Sequence, residues 1–273
     1  MLYQSFPPSP RLQDFVRNYT LIQFQFETNR PIPPKQRSPK PEEKIVFYIK
    51  GSLTLIDPKT QCKEQPPATA IYGHQREVKI LKVSPAFDTL VVYLRPGVLH
   101  KLMQQSALVI SGNFCDAELF FGAEVRSIND QLMETPAPSA RIYIIEQFLY
   151  AKCMKLKAKN SIDLAAEYLL ADPASFSLEA LSNQACLSSK QFFRRFNEQI
   201  GMNPKLFSRL SRFNHAYRFK LANPQESWSS IAQELRYTDY HHLEKEFKEL
   251  AGQTPAEWVN THMASPERML KLR

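Results

Sequence analysis

In SKQFFRRFNEQIG, residues 189–201, Lys190 and Arg194 stand four apart, and so do Phe192 and Phe196. Residues three and four apart share one face of a helix, so the two basic side chains form an outward stripe opposite an inward aromatic one. The chemistry such a stripe offers is recognition of nucleic acid. A guanidinium at Arg194 can donate two hydrogen bonds to a guanine edge, and the ammonium of Lys190 can meet a base or a phosphate. Ser189, at the start of the helix, can cap it or touch a phosphate, and Asn197 is counted with the same set. Phe193, next to the inward pair, is expected to be partly exposed, where it either meets a thymine methyl or packs against the following helix. The bland alternative is a solvated face, which is what most exposed basic residues are.

Other chemistries lack their residues. Cys62, Cys115, Cys153 and Cys186 form no C-x-x-C pair and have no histidine at metal spacing, which fits buried thiols in a reducing compartment and argues against zinc. His241 and His242 are adjacent, so they point in different directions, unlike a helical i, i+4 metal pair. His74 and His100 could hold a ligand or metal, but single histidines in such surroundings are usually structural. The chain has no glycine-rich phosphate loop, no G-x-S-x-G and no H-E-x-x-H, the signatures of nucleotide, acyl and zinc-dependent hydrolytic chemistry. No cofactor is expected.

With 273 residues, 43% hydrophobic content and no apolar run long enough for a bilayer, the sequence predicts a soluble protein of about two domains with no membrane partner. Its first residues carry no export signal, which predicts a cytoplasmic location. The formal charge of +8 is unevenly placed: residues 186–220 hold eight Lys and Arg against one acid, whereas residues 221–258 hold three against seven. One short stretch is therefore a candidate for phosphate attraction, and its neighbour is not.

The elements that must carry these residues divide in two. Residues 44–57, 77–83 and 88–97 are rich in Val, Ile, Leu and Tyr and punctuated by Pro and Gly, predicting an antiparallel sandwich or barrel. Residues 30–44 hold five prolines and read as an exposed loop. From Val98 the pattern turns helical, and residues 139–156 suit a packing or dimerisation helix. Lysines at 152, 155, 157 and 159 mark a linker over 150–161. Beyond it all elements read as helices, with Ser161, Ser177 and Asn203 as N-caps, Pro204 at a first helical position and Gly201 as a stop. In the helix after Pro204, Leu206, Leu210, Phe213 and Tyr217 form one buried stripe.

The chain also overlays itself at an offset of 51 residues. Phe192 falls on Leu243, Phe196 on Phe247, Gly201 on Gly252, Pro204 on Pro255 and Phe207 on Trp258, while Ser182 and Ala232 match one position out of register. Each unit reads as helix, turn, helix and glycine stop, the arrangement in which a second helix enters the major groove. Two units joined by one long helix resemble the C-terminal domain of AraC/XylS transcription regulators. The matches are Leu178, Leu181, Ser188, Phe192, Arg194, Phe196, Gly201 and Pro204, then Ile231, Ala232, Tyr237, Asp239, Leu243, Phe247, Gly252, Thr254 and Pro255. GHQREVKILKV followed by VVYLRPGVLHKLM is similar to the cupin-like sensing domain of one branch of that family.

The resemblance implies an α+β chain: an N-terminal antiparallel β sandwich or barrel with trailing helices over 1–157, an all-α DNA-binding domain over 158–262, and a tail over 263–273. It implies double-stranded DNA and an unidentified small-molecule effector as partners. Contact with RNA polymerase, transcription activation and a homodimer go with it as expectations, with repression left open. DNA-facing residues would be those named above on the first reading helix, Tyr240, His241 and Lys245 on the second, and Lys205, Arg209 and Arg212 on the connecting helix, touching phosphate or merely solubilising it. The rival reading is an interaction module that has lost DNA binding. Related DNA-repair methyltransferases carry a Pro-Cys-His nucleophile, which this chain lacks, so no enzyme is expected. Two departures stand out: Arg236 replaces the glycine usual before the aromatic of the second unit, and Glu244 and Glu246 place negative charge on its second helix. The second unit is therefore expected to bind DNA less strongly.

Overall fold

The computed structural model describes residues 2–26 and 32–263. Ten strands come first: β1 (Leu2–Phe6), β2 (Val16–Gln25), β3 (Lys35–Arg37), β4 (Lys44–Lys50), β5 (Leu53–Ile56), β6 (Lys63–Glu64), β7 (Thr69–Tyr72), β8 (Lys79–Val83), β9 (Ala86–Leu94) and, after the first helix, β10 (Phe114–Asp116). They pair antiparallel into a six-stranded sheet of order β1-β2-β9-β4-β7-β10 and a four-stranded sheet of order β3-β8-β5-β6. Alternation explains why both faces of the larger sheet are apolar. Ile45, Phe47 and Ile49 of β4, with Leu90, Val92 and Leu94 of β9, bury against helices. Val46 and Val91, one residue out of phase, face the smaller sheet.

The trailing helices are α1 (Val98–Met103), α2 (Glu118–Phe121), α3 (Glu124–Glu134) and α4 (Pro138–Cys153). Ile145, Phe148 and Leu149 of α4 enter the sheet's core. A buried ion pair fixes it there: Arg141 donates through Nη1 to both Asp88 oxygens at 3.1 and 2.9 Å and through Nε to the Leu132 carbonyl at 3.1 Å. The proline-rich stretch expected to be an exposed loop instead contributes β3 and runs along the domain boundary, where the Pro39 carbonyl accepts from Asn214 Nδ2 at 3.1 Å. Pairing with β8 satisfies backbone groups there that the prolines themselves cannot.

Helices α5 (Ser161–Ala171), α6 (Leu178–Gln184), α7 (Ser189–Ile200), α8 (Pro204–Ala222), α9 (Trp228–Glu234), α10 (Tyr240–Ala251) and α11 (Pro255–Met263) make the rest. The cap of α5 is Asn160 rather than Ser161, because Asp163 answers it to complete a capping box. The 51-residue repeat is a repeat of packing. Phe192, Phe196 and Phe207 are fully buried in one core, and Leu243, Phe247 and Trp258 in another. Helix α8 serves both: Phe207 and Leu210 enter the first core, and Phe213, Ala216 and Tyr217 the second. Leu206 of the expected stripe packs only at the edge. Gly201 and Gly252 stop α7 and α10 with φ of 81° and 71°, a left-handed stop that glycine adopts without strain. A Cβ on Gly201 would sit 2.8 Å from the Ala107 carbonyl oxygen, so the first unit presses directly on the N-terminal half.

That seam is polar and charged as well as apolar. Lys101 pairs with buried Asp163 at 2.5 Å, Arg95 with Glu167 at 3.3 Å and Arg218 with Glu42 at 3.4 Å. The His74 ring meets Phe207 edge-on at 5.5 Å.

Candidate nucleic-acid interface

Helix α7 begins with a capping box: Ser188 Oγ accepts from the Gln191 amide at 3.3 Å, and Gln191 Oε1 accepts from the Ser188 amide at 3.1 Å. Ser189 is thus the first helical residue, not the cap, and its hydroxyl lies 3.2 Å from that of buried Ser182 on α6. This small-residue contact lets α6 and α7 cross closely. With Phe192, Phe196 and Ile200 turned inward, the opposite side of α7 exposes Lys190, Phe193 and Arg194, with Asn197 half-buried at its edge. Neither Lys190 nor Arg194 forms an ion pair with a described residue. Phe193 is 42% exposed, so it does not belong to the core.

In the second unit, Asp239 Oδ1 caps α10 by accepting from the His242 amide at 2.7 Å. Leu243 and Phe247 face inward, while His241 and Lys245 are exposed and Tyr240 is half-buried. The acidic residues are less available than their sequence suggests. Glu246 accepts from Arg209 Nε at 2.8 Å, and Glu249 takes the other end of the same guanidinium. Glu244 pairs with Lys248 at 3.1 Å. Arg209 is thus engaged with α10, and Glu246 is paired with it.

Arg212 is likewise engaged. Its guanidinium stacks 3.8 Å from the Tyr237 ring centroid, and Nη2 donates to the Arg236 carbonyl at 3.2 Å. Of the three connecting-helix residues, only Lys205 is exposed. Arg236 adopts φ 55° and its counterpart in the first turn, Cys186, φ 52°. Each holds a left-handed conformation that disfavours a side chain by about 1 kcal/mol.

The N-terminal half contains a cavity that strand alternation on β4 could have revealed. Lys44, Val46 and Tyr48 point into a space of about 230 Å³ between the sheets, which Arg37, Lys40 and, from α8, Tyr217 also line. It adjoins an apolar space of about 130 Å³ lined by Ile22, Phe24, Leu81, Val83 and Phe87. Lys44 lies 5.6 Å from the centroids of both Tyr72 and Tyr93. Burial, then the like charge of Arg37, holds its amine well below the usual lysine range. Arg37 was hidden from sequence reading inside the proline-rich stretch.

Residues 181–261 match the model of a family described as a helix-turn-helix domain. That range covers both packed repeats and both candidate reading helices. Residues 181–261 are a helix-turn-helix domain of the AraC type. Residues 4–116 match a domain of unknown function (DUF6597). Among solved structures, unsaturated fatty acid-bound ToxT from Vibrio cholerae aligns with 89% of this chain and 95% of its own, at 10% identity and a TM-score of 0.50. That likeness extends the fold across both halves. The DNA-binding domain of AdpA in complex with target DNA aligns with 39% of this chain and 96% of its own, at 22% identity and a TM-score of 0.36. The AraC-like transcriptional activator CuxR aligns with 87% and 92% at 10% identity and a TM-score of 0.31. No curated protein matches in sequence. Regulators that carry an AraC-type domain bind DNA. No described helix is long and apolar enough to cross a membrane.

Proposed function

We propose that the protein is a sequence-specific, effector-responsive regulator of transcription that reads DNA chiefly through α7. The observation that carries this reading is the division of α7 into an anchored and a free face: Phe192 and Phe196 are fully buried while Lys190, Phe193 and Arg194 stand exposed. In this reading Arg194 contacts a guanine edge, Lys190 a base or phosphate, and Phe193 a thymine methyl. Ser189, Asn197 and Lys205 lie beside phosphates, and Tyr240, His241 and Lys245 make the weaker second contact. Arg209 and Arg212 act by holding α10 and its turn in place. Selection of bound sequences from random DNA, followed by footprinting, tests it. A preferred sequence with protection over two successive major-groove segments is expected; recovery of unrelated sequences would overturn it.

The division of labour proposed is sensing or dimerisation by residues 1–157 and DNA binding by 158–262, joined across the loop between α4 and α5. The tail 263–273 lies outside the described residues apart from Met263. For the effector we propose a small molecule with an anionic head and an apolar body, the head at Arg37, Lys40 and Lys44 and the body toward Phe24 and Phe87. ToxT, whose fold this chain shares, has been crystallised with an unsaturated fatty acid. Because Tyr217 of α8 lines the same cavity, occupancy would be felt by the helix that both reading units share. Titration with decanoate should show saturable binding that Lys44→Met abolishes; equal binding by that variant would refute the site. Pairing of two copies through α4, where Tyr143 is 65% exposed, and activation through RNA polymerase complete the proposal. It is a binding role in the cytoplasm, without catalysis.

A further inference from the structure

The geometry points to Arg236 as a strut between the two helix-turn-helix units that fixes the spacing at which they meet DNA, an inference that rests on the DNA-reading function proposed above. Each unit has its own core, and among the described residues outside α8, Leu250 is the apolar side chain that packs against both. Arg236 adds a polar link on another side. From the turn between α9 and α10, its Nη1 donates to Ser175 Oγ at 2.9 Å and lies 3.7 Å from Asp172 Oδ2. Both acceptors belong to the connection between α5 and α6 of the first unit, which is itself pinned to α8 by a buried bond from Ser208 Oγ to the Pro173 carbonyl at 2.6 Å.

The backbone at Arg236 favours glycine, since φ is 55°. What a glycine there would lack is the side chain that reaches the first unit. Arg212 braces the same turn from α8, donating from Nη2 to the Arg236 carbonyl and stacking on the Tyr237 ring. The Arg236 side chain is 66% exposed, so the link adds little to stability. Its contribution is to orientation: it resists rotation of the α9–α10 pair about α8. One base pair inserted between two bound segments displaces the second by about 3.4 Å and about 35°, which a braced pair cannot follow and a loosened pair can.

The test compares binding to the selected two-segment DNA with binding to the same DNA carrying one inserted base pair. For the wild type the insertion should weaken binding about 100-fold, the size of one or two lost base contacts. Arg236→Gly, which removes strut and strain together, and Arg236→Ala, which removes the strut alone, should both reduce that penalty to about fivefold while retaining affinity for the original spacing. Ser175→Ala should do the same and add nothing to Arg236→Gly. An unchanged penalty in both Arg236 variants would overturn the inference. Spin labels on exposed Asn183 and Gln233, in chains whose native cysteines are replaced, give a DNA-free readout. A distance distribution as narrow in Arg236→Gly as in the wild-type background would reject the strut, even where DNA reading stands. Should the wild type select no second segment, the two-unit reading itself fails, whatever the distances show.

Discussion

Phe192 and Phe193 are neighbours with opposite fates, and that contrast marks the face of α7 proposed to meet DNA. Phe192 is wholly buried and packs on Phe196, with ring centroids 5.7 Å apart, whereas Phe193 is 42% exposed. Phe192→Ala should destabilise the domain by about 3–5 kcal/mol, as cavity-forming aromatic truncations do. Phe193→Ala should leave thermal unfolding unchanged and weaken binding to the selected DNA. A large fall in melting temperature for Phe193→Ala would mean that it packs rather than reads. The assignment was legible in the sequence because helical period alone separates adjacent residues on α7. Arg209 and Arg212 were not legible, since their partners Glu246, Glu249 and Tyr237 lie 25 to 40 positions away.

Among elements, α8 decides the architecture. Its first half belongs to one core and its second half to the other, so its charged face is divided between structure and solvent. Arg209→Ala should lower stability by about 1 kcal/mol, the scale of a partly exposed ion-pair network, without changing DNA affinity by more than about twofold. Lys205→Ala should do the reverse: stability holds, and the dependence of binding on salt becomes shallower by about one phosphate contact. Chemical denaturation and a salt titration on both variants separate the two roles, and equal behaviour would refute the division. The repeat itself was readable because anchors, glycine stops and prolines recur at one offset. The strands were readable where branched residues cluster, in β4, β8 and β9. Strand β2 escaped notice because Asn18, Thr20 and its glutamines dilute the apolar signal, and β3 because prolines surround it. The α5 cap was misplaced by one residue, although Asn160 and Asp163 stand at capping-box spacing.

At the scale of the whole molecule, the two halves meet through groups that titrate. His74 Nε2 and Glu43 Oε1 are 3.5 Å apart and both almost fully buried, with the His74 ring against Phe207. Burial lowers the His74 imidazole to about 4. Burial, reinforced by the charge of Asp163, raises the Glu43 carboxyl well above its ordinary value. The signs oppose each other. The depressed histidine contributes stability present above about pH 6.5 and lost as pH falls toward 4. The raised carboxyl contributes stability present below its unfolded value and lost as pH rises through its folded one. Glu43→Gln removes only the second dependence, so the variant should gain stability relative to wild type as pH rises from 5 to 8. A stability difference that stays constant across that range, measured by thermal unfolding, would contradict this account of the seam.

The charge of the chain tells the same story of division, because the basic cluster of residues 186–220 is partly spent on internal pairs and leaves Lys190, Arg194, Arg195 and Lys205 exposed and without an ion pair to a described residue. On the proposed function, α7 is the principal reader of DNA. That role is tested most directly by titrating the selected DNA, at one fixed salt concentration, with wild type, the Lys190→Ala/Arg194→Ala double variant and Lys245→Ala. The double variant should lose specific binding, at about 1–3 kcal/mol for each lost base contact, and Lys245→Ala should lose less than Arg194→Ala alone. Unchanged affinity of the double variant, or a larger loss for Lys245→Ala than for Arg194→Ala, would contradict it.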